Sequence, residues 1–189
     1  MKRHKVLVGC ETSGIVREAF RNRGHDAWSN DLLAADDSSK YHIKIDVKKA
    51  IVLEDWDIII LHPPCTALCV TGNRWYGKGM SKHKERLKAI EWTIDLYYLA
   101  LKHTNKLVME NPVGVLPLKP TQYIQPWQFG HGETKKTGLW LHGLPKLIPT
   151  NLVDGREQRV WKLSPSKDRW KLRSKTYQGI ADAMAEQYI

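Results

Sequence analysis

The chain has 189 residues, enough for one α/β domain with a small appendage and too few for several domains. No apolar run approaches the length of a membrane span, so a membrane partner is not expected. A formal net charge of +10 and a pI of about 9.5 favour a polyanionic partner, nucleic acid first. Eight Trp and seven Tyr accompany that charge and can stack on bases. The plainer alternative is a solvated basic surface.

The start, Met1-Lys2-Arg3-His4-Lys5, is basic, but Val6-Leu7-Val8-Gly9 is too short for a signal-peptide core. It reads as a buried strand. Glu11-Thr12-Ser13-Gly14 then turns into a helix with Ile15, Val16, Ala19 and Phe20 on one face, ended by Gly24. His25 to Asp31 alternates and predicts a second strand ending on a carboxylate. Ile43, Ile45 and Val47 alternate around Asp46, the expected end of a third. Asp57 to His62 is a fourth, apolar strand running into Pro63-Pro64-Cys65-Thr66.

Thr66 to Met80 is polar and Gly-containing, an expected mobile loop carrying Asn73, Arg74, Trp75 and Tyr76. Ser81 is a candidate cap for a helix whose Leu87, Ile90, Ile94, Tyr97, Tyr98 and Leu101 recur at helical spacing. Lys106 to Glu110 is a further strand and leads into a Pro-rich connection. Tyr123 to Phe129 and Leu139 to His142 read as two late strands. Residues 150 to 176 are basic and irregular, and Ile180, Ala183, Met184 and Tyr188 mark a closing helix. This order predicts an α/β fold with a mainly parallel sheet.

Three cysteines are no disulfide framework and fit a reducing cytosol. Cys65 has three readings. It is a small buried apolar residue, or part of a metal site with His62, Cys69 and the His131-Gly132-Glu133 stretch, or a nucleophile. The zinc deaminase signature has the opposite order and a different cysteine spacing, so no metal is expected. As a nucleophile, Cys65 adds to an electron-poor ring carbon such as cytosine C6 while Glu110 serves the ring nitrogen. Strand carboxyl ends are where open α/β sheets bind ligands, and both residues sit at such ends.

Gly9-Cys10-Glu11-Thr12-Ser13-Gly14 is neither G-x-G-x-x-G nor a P-loop. An adenosine-bearing ligand without pyrophosphate fits better, with Asp31 on ribose hydroxyls and Asp46 on an adenine amino group. Either Asp taken singly reads sooner as a helix cap or turn former, and their order at successive strand ends is what favours the ligand.

In this order the residues resemble the cytosine C5-methyltransferase family that uses S-adenosylmethionine, and more closely its small phage and prophage members. The resemblance implies a Rossmann-like methyltransferase fold, with a mainly parallel sheet, an antiparallel C-terminal strand and helices on both faces. It implies S-adenosylmethionine bound by Gly9, Cys10, Glu11, Thr12, Ser13, Gly14, Asp31, Leu32, Asp46, Pro63 and Asp182. It implies catalysis by Cys65, Glu110 and Lys135 on cytosine in DNA, with RNA or free nucleotides as the alternative substrates. Asn73, Arg74, Lys162, Arg169, Lys171 and Arg173 are the expected nucleic-acid contacts.

Departures from the family pattern are Glu133 in place of Gln, Lys135 and Thr137 in place of two Arg, and Asp182 in place of Asn. They leave open a relative that binds without catalysis. On this reading residues 1–149 and 177–189 form the catalytic domain. Residues 150–176 are a small basic insert where sequence-specific members carry a large recognition domain, so sequence specificity is expected to be low or short. The expected setting is the bacterial cytoplasm.

Overall fold

The computed structural model describes residues 2–164, 166–167 and 169–189. Its strands are β1 (Lys5–Gly9), β2 (Asp26–Asn30), β3 (His42–Ile43), β4 (Ile58–Leu61), β5 (Leu107–Pro112), β6 (Gln122–Ile124) and β7 (Thr137–His142). Its helices are α1 (Ile15–Asn22), α2 (Val47–Ile51), α3 (Asn73–Tyr76), α4 (His83–His103), α5 (Arg159–Lys162), α6 (Arg169–Ser174) and α7 (Gln178–Gln187). The strands form one sheet in the order β3-β2-β1-β4-β5-β7-β6. Pairings from β3 through β5 are parallel, whereas β7 runs antiparallel to both β5 and β6. This is the Rossmann-like α/β fold expected, antiparallel late strand included.

Both sheet faces are covered, which is why the central strands read as unbroken apolar runs. Val6, Val8, Ile58, Ile60 and Val108 face α1 and α7. Leu7, Ile59, Leu61, Leu107 and Met109 face the other way, toward α2 and α4. Among the described residues no helix is long and apolar enough to cross a membrane.

Three expected elements differ. The third strand stops at Ile43 instead of running to Asp46. The Asn30 side-chain amide donates to the carbonyls of Ile43 (2.7 Å) and Ile45 (2.9 Å), replacing a strand partner and turning the chain. Asp46 then caps α2, accepting from the Lys48 N–H at 2.9 Å. Lys82, not Ser81, precedes α4. The strand expected from Tyr123 to Phe129 closes after Ile124, because Pro126 opens a 3-10 turn over Pro126–Gln128.

The segment after Cys65 is also more ordered than its composition suggests. It holds a 3-10 turn at Val70–Gly72 followed by α3. Arg86 of α4, only 5% exposed, donates to the carbonyls of Ala67 and Cys69 and to Asn73 Oδ1.

Arg17 is fully buried under the β1–α1 turn. It donates to Ser29 Oγ (2.8 Å) and Glu18 (2.8 Å) and pairs with Asp37, joining α1, β2 and the loop after β2. Arg17→Met keeps the bulk but strands those partners. Breaking a fully buried pair costs about 3–5 kcal/mol. Here both carboxylates are more than two-fifths exposed, so a loss of about 2 kcal/mol is expected. It is read as a lower urea midpoint at unchanged slope.

Candidate active site

Register decides the geometry. Leu61 of β4 lies beside Met109 of β5, so the next residues, His62 and Glu110, emerge side by side at the carboxyl edge. His62 Nδ1 is 3.0 Å from Glu110 Oε2, and the two side chains are 9% and 13% exposed. The carboxylate takes the hydrogen bond with Nδ1 as donor. One residue on, buried Asn111 donates to the Pro63 carbonyl at 2.9 Å. That bond ties the Pro63-Pro64-Cys65 turn to β5. The Val70 N–H donates to Val113 O and the Val115 N–H to Leu68 O, fastening the chain beyond it.

Cys65, Glu110 and Lys135 lie close enough at this edge to feel one another's charge. Burial first, with Cys69 and Glu110 nearby, pushes the Cys65 thiol up to about 11, against the pull of Lys135 and Arg173. Burial opposes ionisation of Glu110, yet the His62 hydrogen bond, the Lys135 charge and a Thr137 hydrogen bond hold its carboxyl below the usual value. The resting site therefore pairs a neutral thiol with an ionised acid. Cys65 as a residue is half-buried. Lys135 donates to the Lys175 carbonyl at 3.3 Å and lies over the Tyr177 ring.

His62 and Thr137 were not expected to serve the acid. The signal was present for His62, a polar residue closing an apolar strand beside the strand that ends on Glu110. For Thr137 there was none, since only the pairing of β7 with β5 brings it near.

A second cluster lines the carboxyl ends of β1 and β2. Cys10 has φ +61°, a left-handed conformation that costs a non-glycine residue roughly 1–2 kcal/mol and often marks functional turns. Burial first, then the charges of Asp31 and Asp46, pushes the Cys10 thiol up to about 12, so the three side chains share one neighbourhood. Asp31 accepts from the Leu33 N–H at 2.9 Å, and Leu32 beside it is 67% exposed.

Gly9 and Gly14 were expected to leave room for a ligand, but the protein itself fills that room. A Cβ on Gly9 would meet Val47 at 2.8 Å, and Gly14 (φ +70°) lies against the Arg17 guanidinium. Glu11, 6% exposed, accepts from the N–H groups of Val16 (2.8 Å) and Arg17 (3.4 Å) and from Ser13 Oγ. A carboxylate thus already occupies the start of α1, the place where a phosphate would otherwise bind. With Asp31 and Asp46 near Cys10, these strand ends suit a cationic, hydroxyl-bearing ligand without phosphate. S-adenosylmethionine has that chemistry, and Cys10, Thr12, Asp31 and Asp46 are the residues that could hold it. Asp182 is instead exposed on α7, where it accepts from Gln178 at 2.9 Å.

The expected nucleic-acid residues divide into two groups. Three are engaged within the protein. Asn73 accepts from Arg86 (2.8 Å), Arg169 donates to the Trp161 carbonyl (3.3 Å), and Lys171 pairs with Asp36 (2.8 Å). Arg74 and Lys162 are exposed, and the charge of half-buried Arg173 acts on the Cys65 thiol. Trp75, Trp161 and Trp170 are 54%, 67% and 54% exposed, so none of the three is a core residue. Glu133 accepts from Arg159 Nε (2.8 Å) and from Tyr177 Oη (2.7 Å), clamping α5 to the main body. His131 accepts from the Gly179 N–H, so the His-x-Glu pair joins segments of chain. Among the described residues no three His, Cys, Asp or Glu side chains cluster as metal ligands do.

The sequence matches no protein-family model and no curated protein. Solved structures do share its fold. The Entamoeba histolytica methyltransferase EhMeth is similar at a TM-score of 0.53 and 14% identity, over 88% of this chain and 61% of that one. The S. pombe Dnmt2 methyltransferase is similar at 0.49 and 13%, over 85% and 54%. The chain thus spans about three fifths or less of either solved chain.

Proposed function

We propose that the protein methylates cytosine at C5 in DNA, using S-adenosylmethionine and a covalent bond from Cys65 to C6. What supports this reading is the 3.0 Å His62–Glu110 pair on adjacent strand ends, with the Pro63-Pro64-Cys65 turn tied to the same strand by Asn111. The carboxylates of Asp31 and Asp46 near Cys10 support a sulfonium cofactor. What the cofactor supplies is an electrophilic methyl group for C5.

The chain's own residues handle the ring and its proton. The target base leaves its stack to reach Cys65. As Cys65 Sγ bonds to C6, the C5=C6 pair moves between C4 and C5, and the C4=N3 pair moves onto N3. N3 then needs a proton, and the thiol must lose one. Glu110, ionised at rest, takes the thiol proton and delivers it to N3, so no net charge is created in a poorly hydrated site. His62 holds the carboxylate in place, and Lys135 offsets the negative charge that passes between sulfur and ring. As C5 takes the methyl group, the C4=C5 pair forms the new bond and the N3 pair restores C4=N3. A base or water then removes the C5 proton, that pair restores C5=C6, the C6–S pair leaves with Cys65, and N3 returns its proton to sulfur by the same route.

Fluorine at C5 cannot leave as the proton does, so 5-fluorocytosine should freeze the adduct. Wild-type protein with S-adenosylmethionine and 5-fluorocytosine DNA is expected to give a complex that survives SDS, and Cys65→Ala none. Absence of the wild-type complex overturns the reading. The shortness of residues 150–176 and the exposed Trp161 and Trp170 favour unpaired bases. A 5-fluorocytosine RNA strand is therefore the second substrate to try, and preferential trapping there would reassign the substrate to RNA.

A further inference from the structure

Eight Lys and Arg residues stand against two acids from Arg156 to Lys175, but these cations are not equivalent. Lys171 Nζ is 2.8 Å and Lys175 Nζ 3.7 Å from the two oxygens of Asp36, whose side chain is 18% exposed. Asp36 lies in the loop between β2 and β3, and its backbone N–H donates to the Thr12 carbonyl at 2.8 Å, within the β1–α1 turn. Burial works against the Asp36 charge, yet Lys171 keeps its carboxyl ionised below the usual range. On the other side of the segment, Lys135 Nζ donates to the Lys175 carbonyl. The α6 segment is thus pinned between the cofactor-side loop and Lys135. Arg173, between the two lysines in sequence, has no carboxylate partner among the described residues, and its charge reaches the Cys65 thiol.

We infer that Arg173 is the phosphate-binding residue for the nucleotide attacked by Cys65, and that Asp36 positions it by docking α6 through Lys171 and Lys175. This rests on nucleic acid being the substrate. An arginine free of internal carboxylates keeps its planar fork for a phosphate. Lys171 and Lys175 share the Asp36 carboxylate, which offsets one of their two charges and lessens the counterions they release on binding. The α6 end of the tract is therefore held by an internal ion-pair hub around Arg173, and is not a uniform basic surface. Because the hub is built on the loop that crosses Thr12, nucleic acid and cofactor sites share a support.

The test is equilibrium binding of the full chain to a fluorescein-labelled single-stranded DNA containing cytosine, read by anisotropy across a salt series. S-adenosylmethionine binding is measured in parallel. Each phosphate contact contributes about 0.7 to the slope of log affinity against log salt for single strands. Arg173→Gln is expected to weaken binding about tenfold and lower the slope by about 0.7. Lys171→Gln and Asp36→Asn are expected to weaken binding about fivefold with little change in slope, because they loosen the support without removing a contact. Asp36→Glu should restore most of the affinity.

An unchanged slope in Arg173→Gln, or a slope loss in Lys171→Gln as large as in Arg173→Gln, overturns the assignment. So does an Asp36→Asn defect confined to S-adenosylmethionine binding, or a wild-type chain that binds no oligonucleotide. Binding is read without turnover, so the phosphate assignment can stand even if no cytosine methylation is found.

Discussion

Cys65→Ser is expected to lose methyl transfer by about ten-thousandfold or more while still binding S-adenosylmethionine and oligonucleotide. Removing a covalent nucleophile acts on that scale, since the remaining groups bind and polarise but form no bond. The change is nearly isosteric, and the turn that carries it is held independently by Asn111 on the Pro63 carbonyl. Folding should therefore survive, and the loss should fall on kcat. Labelled methyl transfer to cytosine DNA, with cofactor affinity measured separately, reads both. A variant that kept wild-type turnover would remove sulfur from the mechanism altogether.

The pH profile of the wild-type protein tests the proton route. Burial pushes the Cys65 thiol up to about 11, while Glu110 stays ionised to below its ordinary value of 4.5. If the thiol first released its proton to water, kcat/KM would rise about tenfold per pH unit until the thiol titrated. If the proton passes to Glu110, the competent form is the neutral thiol with the carboxylate, and that form already dominates at neutral pH. The sign then follows from Glu110 alone. Activity is lost as pH falls through the depressed carboxyl value, and it is level between about pH 7 and 9.

Most of the sheet was readable because burial on both faces writes itself into local sequence. Val6 to Gly9, Ile58 to Leu61 and Leu107 to Met109 are apolar without alternation, and the residue after each, Cys10, His62 or Glu110, lies at the candidate site. Cys65 and Glu110 were legible for the same reason, as polar punctuation after such strands. The third strand misled because Ile43, Ile45 and Val47 alternate, yet the Asn30 amide bends the chain between them. That is a tertiary override of a correct local pattern.

The basic segment was opaque for another reason. Its helices are short, and their positions depend on Glu133 with Arg159 and on Asp36 with Lys171, pairs far apart in the chain. No periodicity encodes such partners. Composition gave the sign of the charge and could not say which cations were already spent. His62 lies between these cases. It is visible as a strand terminus, but its partner is 48 residues away and is chosen by the register of β4 on β5.

That partnership makes Glu110→Gln the sharpest probe of the site. At pH near 7.5 the variant is expected to lose about a hundred- to ten-thousandfold in kcat, the range over which a positioned acid or base contributes. Its amide oxygen can still accept from His62, so the orientation of the side chain is largely kept. What it cannot do is accept the thiol proton. The residual reaction must then start from thiolate formed against solvent, and its rate should climb about tenfold per pH unit from pH 7 toward 9, where the wild-type rate is level. Removing the Glu110 charge also lowers the Cys65 thiol, because that carboxylate is among the groups holding it up. The climb should accordingly level off below about 11. The two profiles separate the roles: a carboxylate that only oriented the base would leave Glu110→Gln slower but still pH-independent. A rate loss joined to the new slope is the signature of an acid that carries the nucleophile's own proton to the ring.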